Sequence, residues 1–474
     1  MNARRGAALA LILGVGGCSL IPAYHRPALP VSTAYPTGPA FAVPDETTAS
    51  QAADIGWRDF FHDTVIQDLI ALSLEHNRDL LTAAENVQEA EATFRASRAS
   101  LFPTLDASAE GVFEREPAAF SGGFGVLHEN AYALSLGAAS YELDVFGRLR
   151  SLAAQAREQY LSSAETREST KIALVAQVAS EYLTWLADAE ALRVSRETIA
   201  AQRRSYDLRV LTEQRGSGTA LDVAQAESAL RTAQASAAQY TRQEAQDMDE
   251  IVLLAGTPLP AALVAAMQDD AARQFQVRLP DVPAGLPSDL LRRRPDIRAA
   301  EHTLLAANAN VGAARAAFFP EITLTGNGGT ASGTLGGLFG AATGSWQFQP
   351  QISVPIFDAG KNFANLDIAR LEKRVDIAGY EKTIQSAFHD VADALAARGT
   401  YDTQVQAEQQ LVDADARYYA LSKMRFDAGV DNYLNVLVAQ NSLFSAQLSL
   451  VSLRLADQQN RITLYKDLGG GWHE

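Results

Sequence analysis

Trp346-Gln347-Phe348-Gln349-Pro350-Gln351-Ile352-Ser353-Val354-Pro355-Ile356 alternates bulky apolar residues with largely polar ones from end to end. Successive side chains of a strand point to opposite faces, so the run reads as a strand with one apolar and one largely polar face. Its length, about 10 residues, is close to what a tilted strand needs to cross a bilayer. Three more segments share the character. Leu105, Ala107, Ala109, Gly111 and Phe113 alternate with Asp106, Ser108, Glu110 and Glu114, and the segments 132–144 and 321–331 complete four candidate strands. Glycine-rich stretches, Ser121 to Gly125 and Gly326 to Gly344, are expected to form loops between them. A period of two also suits a soluble sandwich edge or two hairpins packed on helices. Four strands cannot close a barrel, and lipid does not tolerate an open sheet edge, so a spanning structure would need strands from other copies. Two, three or four copies supply eight, twelve or sixteen strands, and only more than eight leave a conduit.

The strands belong to a chain written twice. Shifted by 217 positions, Arg98-Ala99-Ser100-Leu101-Phe102-Pro103 falls on Arg315-Ala316-Ala317-Phe318-Phe319-Pro320, with Asp79 on Asp296 and Ala83 on Ala300. At a shift of 213, Phe146-Gly147 meets Ala359-Gly360, and Leu221-Asp222-Val223 meets Leu434-Asn435-Val436. Copies of about 200 residues are too long for solenoid units and indicate a duplicated domain. Each copy reads helix, strand pair, two long helices. No proline interrupts Ser151 to Ala187 or Asn362 to Arg398, and Ala, Leu, Gln, Glu and Arg dominate both. Coiled-coil spacing recurs at Val223, Ala226, Leu230, Ala233, Ala237 and Tyr240, and one copy later at Val436, Ala439, Leu443, Ala446, Leu450 and Leu453. Val175, Val178, Tyr182, Trp185, Ala189 and Leu192 keep that spacing across an expected helix reversal.

The chain has 474 residues, 47% of them apolar, and a formal charge of −16. That acidity argues against nucleic acid as a partner, since phosphate binding needs a basic face. Residues 1–17 form a basic start at Arg4 and Arg5, an apolar run from Ala7 to Val15, and two glycines, the anatomy of an export signal. Cys18 is the single cysteine, which excludes a disulfide framework and a Cys-ligated metal site. The next stretch holds Pro22, Pro27, Pro30, Pro36, Pro39 and Pro44, an extended tether. The histidines show no metal-ligand spacing, and Ser, His and Asp residues nominate no triad. No catalytic residue, metal site or cofactor is expected.

Val15-Gly16-Gly17-Cys18 resembles the lipobox of bacterial lipoproteins, which implies cleavage before Cys18 and its acylation; a plain signal peptide with an incidental cysteine is the alternative. Ser19 in place of an aspartate implies the outer membrane as destination. Across the chain, Ile21-Pro22-Ala23-Tyr24-His25-Arg26-Pro27, Trp57 to Phe61, Asn77-Arg78-Asp79-Leu80, Leu101-Phe102-Pro103 and Tyr141-Glu142-Leu143-Asp144-Val145-Phe146-Gly147-Arg148 stand in order. They are followed by Gly285-Leu286-Pro287-Ser288-Asp289-Leu290-Leu291, Arg294-Pro295-Asp296-Ile297, Pro355-Ile356-Phe357-Asp358-Ala359-Gly360 and Gly469-Gly470-Gly471-Trp472. This text resembles the TolC-like outer membrane factors, in the lipoprotein branch represented by OprM, CusC and NodT.

The resemblance implies a mixed α and β fold: a long α-helical coiled-coil barrel plus a transmembrane β-barrel built from four strands per chain, internally duplicated and trimeric. The expected divisions are a signal peptide over 1–17, an acylated tether and equatorial segment over 18–60, a first repeat over 61–255, a connector over 256–287, a second repeat over 288–467 and a tail over 468–474. The implied role is a passive exit duct for small molecules such as drugs or metal ions, anchored in outer-membrane lipid. Its implied partners are a periplasmic adaptor and an inner-membrane pump of the RND type. Such a duct needs a shutter where the helices reverse, and repeat alignment sets the reversals near Leu186 to Glu190 and Ala397 to Tyr401. Gate candidates are accordingly Asp188, Arg398, Tyr401, Asp402, Asp413 and Asp415; which of the acids form a constricting ring is open. Gly399 is expected to allow the second reversal, and Ala397, Arg398, Gly399 and Thr400 are the expected adaptor contacts. Two other readings stand beside this one. A periplasmic adaptor lipoprotein would lack membrane strands and the duplication, and an outer-membrane enzyme would need a Ser and His pair that the sequence does not offer.

Overall fold

A computed structural model of the chain describes residues 19–41, 54–117, 127–273, 275, 277–282, 290 and 293–471. Cys18, the expected loop Ser121 to Gly125 and Trp472 lie outside the described residues. The elements are α1 (Trp57–Phe60), α2 (Thr64–His76), α3 (Arg78–Ala99), β1 (Asp106–Glu116), β2 (Leu127–Glu142), α4 (Arg148–Gln214), α5 (Ala220–Ala255), α6 (Ala261–Ala271), α7 (Pro295–Ala316), β3 (Glu321–Ser332), β4 (Gly344–Ser353), α8 (Lys361–Asp427) and α9 (Tyr433–Asp467). The order helix, strand, strand, long helix, helix occurs twice, and α4 and α8 each hold 67 residues. At ~1.5 Å per residue, each of these two elements extends about 100 Å.

The chain divides into two compact units. The first comprises residues 19–28, 86–163 and 299–380. Its antiparallel sheet has the order β1-β2-β3-β4, which leaves β1 and β4 as edges within the chain. The register sets Ala109 opposite Leu134, Leu136 opposite Gly328, Gly328 opposite Trp346 and Gly326 opposite Phe348. An apolar face therefore runs across all four strands. The other face carries Ser108, Ser135, Asn327, Gln347 and Gln349, with Ser108 Oγ 2.8 Å from Ser135 Oγ.

A strap of the chain lies along α7 in the same unit. Arg315 donates to the Leu20 carbonyl, Asn308 Nδ2 to the Pro22 carbonyl at 2.9 Å, and Tyr24 Oη to Glu301. Arg26 donates twice to the Glu301 carboxylate, 2.8 Å each. Gly312 is needed for this approach, because a Cβ there would lie 2.7 Å from Ile21 Cγ1.

The second unit comprises residues 29–85, 164–298 and 381–474. Trp57, Phe60 and Phe61 are fully buried, and Phe60 stacks on Tyr465 with centroids 4.0 Å apart. Asn77 breaks α2 from α3 by accepting from the backbone of Asp79 and Leu80, while its amide donates to the Leu254 carbonyl. Such caps stabilise a helix start by about 1 kcal/mol. The coiled-coil spacing is carried into burial at Ala226, Leu230 and Ala233, and again at Val436, Ala439, Ala446 and Leu450.

Two expectations are corrected here. The reversals are not at 186–190 and 397–401: α4 and α8 run unbroken through both stretches and end at Gln214 and Asp427. Leu186-Ala187-Asp188-Ala189-Glu190 contains no breaker, and Gly399 alone weakens a helix by only about 1 kcal/mol. Gly399 therefore sits inside α8 and makes no turn. The glycines from Gly326 onward belong in part to β3, which continues to Ser332 and shortens the expected loop. The connector holds a helix, α6, begun by Pro260 as its N-cap.

Candidate functional site: an open-edged sheet and two helical reversals

Sheet edges and apolar faces normally find partners, and among the described residues these have none. Trp346 is 81% exposed, Phe348 62% and Ile352 67%, all on the apolar face of β4. Phe113, Val112 and Leu136 are exposed on β1 and β2. A long, apolar edge strand is an aggregation hazard in water, and natural proteins cover it. Glycines opposite Trp346 and Phe348 keep the same face smooth between the rings.

The reversals lie in the second unit and use the same device twice. At the end of α4, Ser217 N donates to the Thr212 carbonyl and Gly216 N to that of Glu213; at the end of α8, Val430 N donates to Arg425 and Gly429 N to Phe426. This pairing satisfies the last carbonyls of a helix and places one residue in the left-handed region. Gly216 and Gly429 occupy that position with φ of 73° and 71°. Thr219 then opens α5 through a capping box with Asp222, and Asn432 opens α9 by accepting from Asn435 N.

With the reversals there, the candidate gate residues separate. Arg398 and Asp402 come together, well back from the turn. Arg398 Nε lies 2.6 Å from Asp281 and its Nη1 2.9 Å from Asp402. Arg461, 3% exposed, reaches Asp281 at 2.7 Å and Asp457 at 3.3 Å and donates to the Leu279 carbonyl. Leu279 N donates in turn to Gln458 Oε1 at 2.7 Å. Burial pushes Asp281 upward, but the Arg398 hydrogen bond and the charges of Arg461 and Arg398 outweigh it and hold the carboxyl below its ordinary range. The cluster therefore stitches residues 279–281 to the α8/α9 hairpin. Ala397, Gly399, Thr400 and Tyr401 belong to this mid-helix stretch and are not at a turn; Thr400 Oγ1 donates back to the carbonyls of Ala396 and Ala397.

Asp188 faces a different partner. It lies against Asp247 of α5, with Glu181, Glu244 and Glu250 nearby. Burial first, then the charges of Asp188 and Glu181, push Asp247 up to about 7. Burial likewise raises Asp188, an effect reduced by its hydrogen bond with Asp247. Two carboxyls that close cannot both ionise cheaply, so the pair gives up its last proton only as the pH approaches about 7. Asp413 and Asp415 lie within the last four turns or so of α8, and Asp413 accepts from Gln409 at 3.0 Å.

Asp281, Asp457, Arg461 and Asp247 were not among the sequence candidates. The spacing of Asp457 and Arg461, four apart on one helix, was a readable signal of an ion pair. Asp247 becomes readable once the first reversal is set at Gly216, because an antiparallel pairing about that turn brings it opposite Asp188.

A sequence profile described as "outer membrane efflux protein" matches residues 69–257 and again 286–470. The toluene efflux pump outer membrane protein TtgC of Pseudomonas putida is 48% identical over 462 residues, covering 97% of this chain and 94% of that protein. Outer membrane protein OprJ of Pseudomonas aeruginosa is 37% identical, covering 99% and 96%. The open state of the Neisseria gonorrhoeae MtrE outer membrane channel superposes with a TM-score of 0.85 at 38% identity, covering 96% of this chain and 99% of that one.

Proposed function

Because this chain belongs to the outer membrane efflux protein family, we propose that it is the outer-membrane exit channel of a tripartite efflux system in a Gram-negative bacterium. It passes small molecules received from a periplasmic adaptor and an inner-membrane pump, whose energy drives the flow, and it catalyses no reaction. The observation that carries this reading is the four-stranded sheet: an apolar face closed by glycine and aromatic residues, with both edges open. Lipid accepts such a sheet only within a closed barrel, so neighbouring chains supply the missing wall. Three copies give twelve strands and a lumen wider than side chains can fill. The twofold match of the family profile and the recurring element order support an internal duplication, with repeats over 61–255 and 288–467.

Cys18 carries the lipid that holds the chain to the membrane, with residues 18–60 as tether, 256–287 as connector and 468–474 as tail. The channel closes at the end where α4 and α8 reverse. Asp413 and Asp415, on the part of α8 leading to that end, narrow it, since equivalent acids from three chains repel and attract cations. The adaptor meets the reversals themselves, Gly216 to Thr219 and Gly429 to Asn432, in place of Ala397 to Thr400. The cargo includes small apolar molecules of the kind named for the toluene pump protein. Light scattering of the detergent-extracted protein is expected to return the mass of three chains, and reconstitution to yield ion-conducting pores. A processed chain that is monomeric and soluble without detergent would refute the assignment.

A further inference from the structure

The two hairpins of the second unit are joined beside their reversals by one cation. Arg209 stands near the end of α4, Phe426 at the end of α8 and Tyr433 at the start of α9. The Arg209 guanidinium carbon lies 4.6 Å from the centroid of the Phe426 ring and 4.6 Å from that of Tyr433. Those two rings meet edge-on, with centroids 5.9 Å apart. Around them, Ala226 and Ala229 of α5 pack with Tyr433, Val436 and Leu437 of α9, and Tyr206, Tyr419 and Phe426 close the cluster. All four long helices thus contribute to one knot next to Gly216 and Gly429. Arg209 Nε is buried and has no hydrogen-bond acceptor among the described residues. The guanidinium carbon sits over both rings, an arrangement that planar, weakly hydrated Arg supports and Lys supports less well.

We propose that Arg209 is a positioning residue for opening and closing: clamped between Phe426 and Tyr433, it binds the ends of the two hairpins into one body, so that neither moves alone. This rests on the assignment of the reversal end as the closure. A plain apolar packing role would be filled equally well by leucine, which matches the stem and lacks the charge. The clamp differs from it in requiring a cation over two rings, and that difference is what the variants read.

The test uses the full-length protein in detergent and in planar bilayers, with Arg209→Leu, Arg209→Lys and Phe426→Leu. Spin labels at Glu213→Cys and Ala428→Cys, exposed positions of the two hairpin ends, report their separation. Arg209→Leu and Phe426→Leu are expected to broaden the distance distribution and raise resting conductance by about tenfold, with Arg209→Lys intermediate. Equal thermal unfolding of the variants excludes general misfolding as the cause. If Arg209→Leu matches the wild type in distances and conductance, the clamp is refuted. Broadened distances with unchanged conductance also refute it, because the joint would then not govern closure. If the wild type itself never conducts, the channel assignment fails, and the distance distributions still judge the joint.

Discussion

Arg461 shows how much a single buried charge can organise. It is almost fully buried; its Nη1 serves both Asp281 and the Leu279 carbonyl while its Nε serves Asp457. Removing one partner of such a pair strands the others, which typically costs about 3 kcal/mol. Arg461→Ala should therefore lower the unfolding free energy in denaturant by about that amount, whereas Arg398→Ala, whose main partner Asp281 is more exposed, should lower it less. Equal losses would show that the cluster is held by something other than the buried cation. Sequence reading found Arg398 and Asp402 as noteworthy charges and misjudged their place, because four-residue spacing identifies a helical neighbour but not the segment that crosses over it.

At the scale of elements, the α4/α5 hairpin carries a pH dependence. Asp247 holds its proton up to about 7, whereas an unfolded aspartate releases it near 4. The native state binds more protons between these values, so stability is fully present below about pH 4, falls as pH rises, and has lost this contribution above about pH 7. Asp247→Asn should flatten that fall. In thermal unfolding, the variant is expected to match wild type near pH 4 and to melt at a higher temperature at pH 8; an unchanged pH profile would rule out the retained proton. The length of α4 and α8 follows from proline-free, Ala- and Leu-rich sequence, and their ends from Gly216 and Gly429. Gly216-Ser217-Gly218 and Gly429 interrupt the helical pattern in the sequence. The reversals were nevertheless expected elsewhere, since a break in a pattern does not say whether the chain bends or turns back.

For the molecule as a whole, the sheet is where the proposed assembly is tested. A lysine on the lipid-facing side of a barrel costs about 2–4 kcal/mol near the bilayer midplane. Phe348→Lys, halfway along the apolar face of β4, should abolish a heat-resistant trimer in detergent, while Gln349→Lys on the opposite face should leave it intact. Identical behaviour of the two variants would sink the barrel. The strap against Gly312 and the knot at Arg209 each tie sequence-distant segments together. Neither of these joins is visible in local pattern.

The sequence by itself determined the four strands, the doubled order of elements and the long helices, because periodicity, breakers and repeated text act over short range or by direct copy; the kind of molecule came from its resemblance to a known family. Only the tertiary structure decided where the hairpins reverse, that Asp188 meets Asp247, and that Arg398 shares Asp281 with Arg461. Those outcomes depend on which distant side chains arrive opposite one another. That register is set by the position of one left-handed glycine in each hairpin, and a shift of a few turns in it exchanges every partner along two long helices.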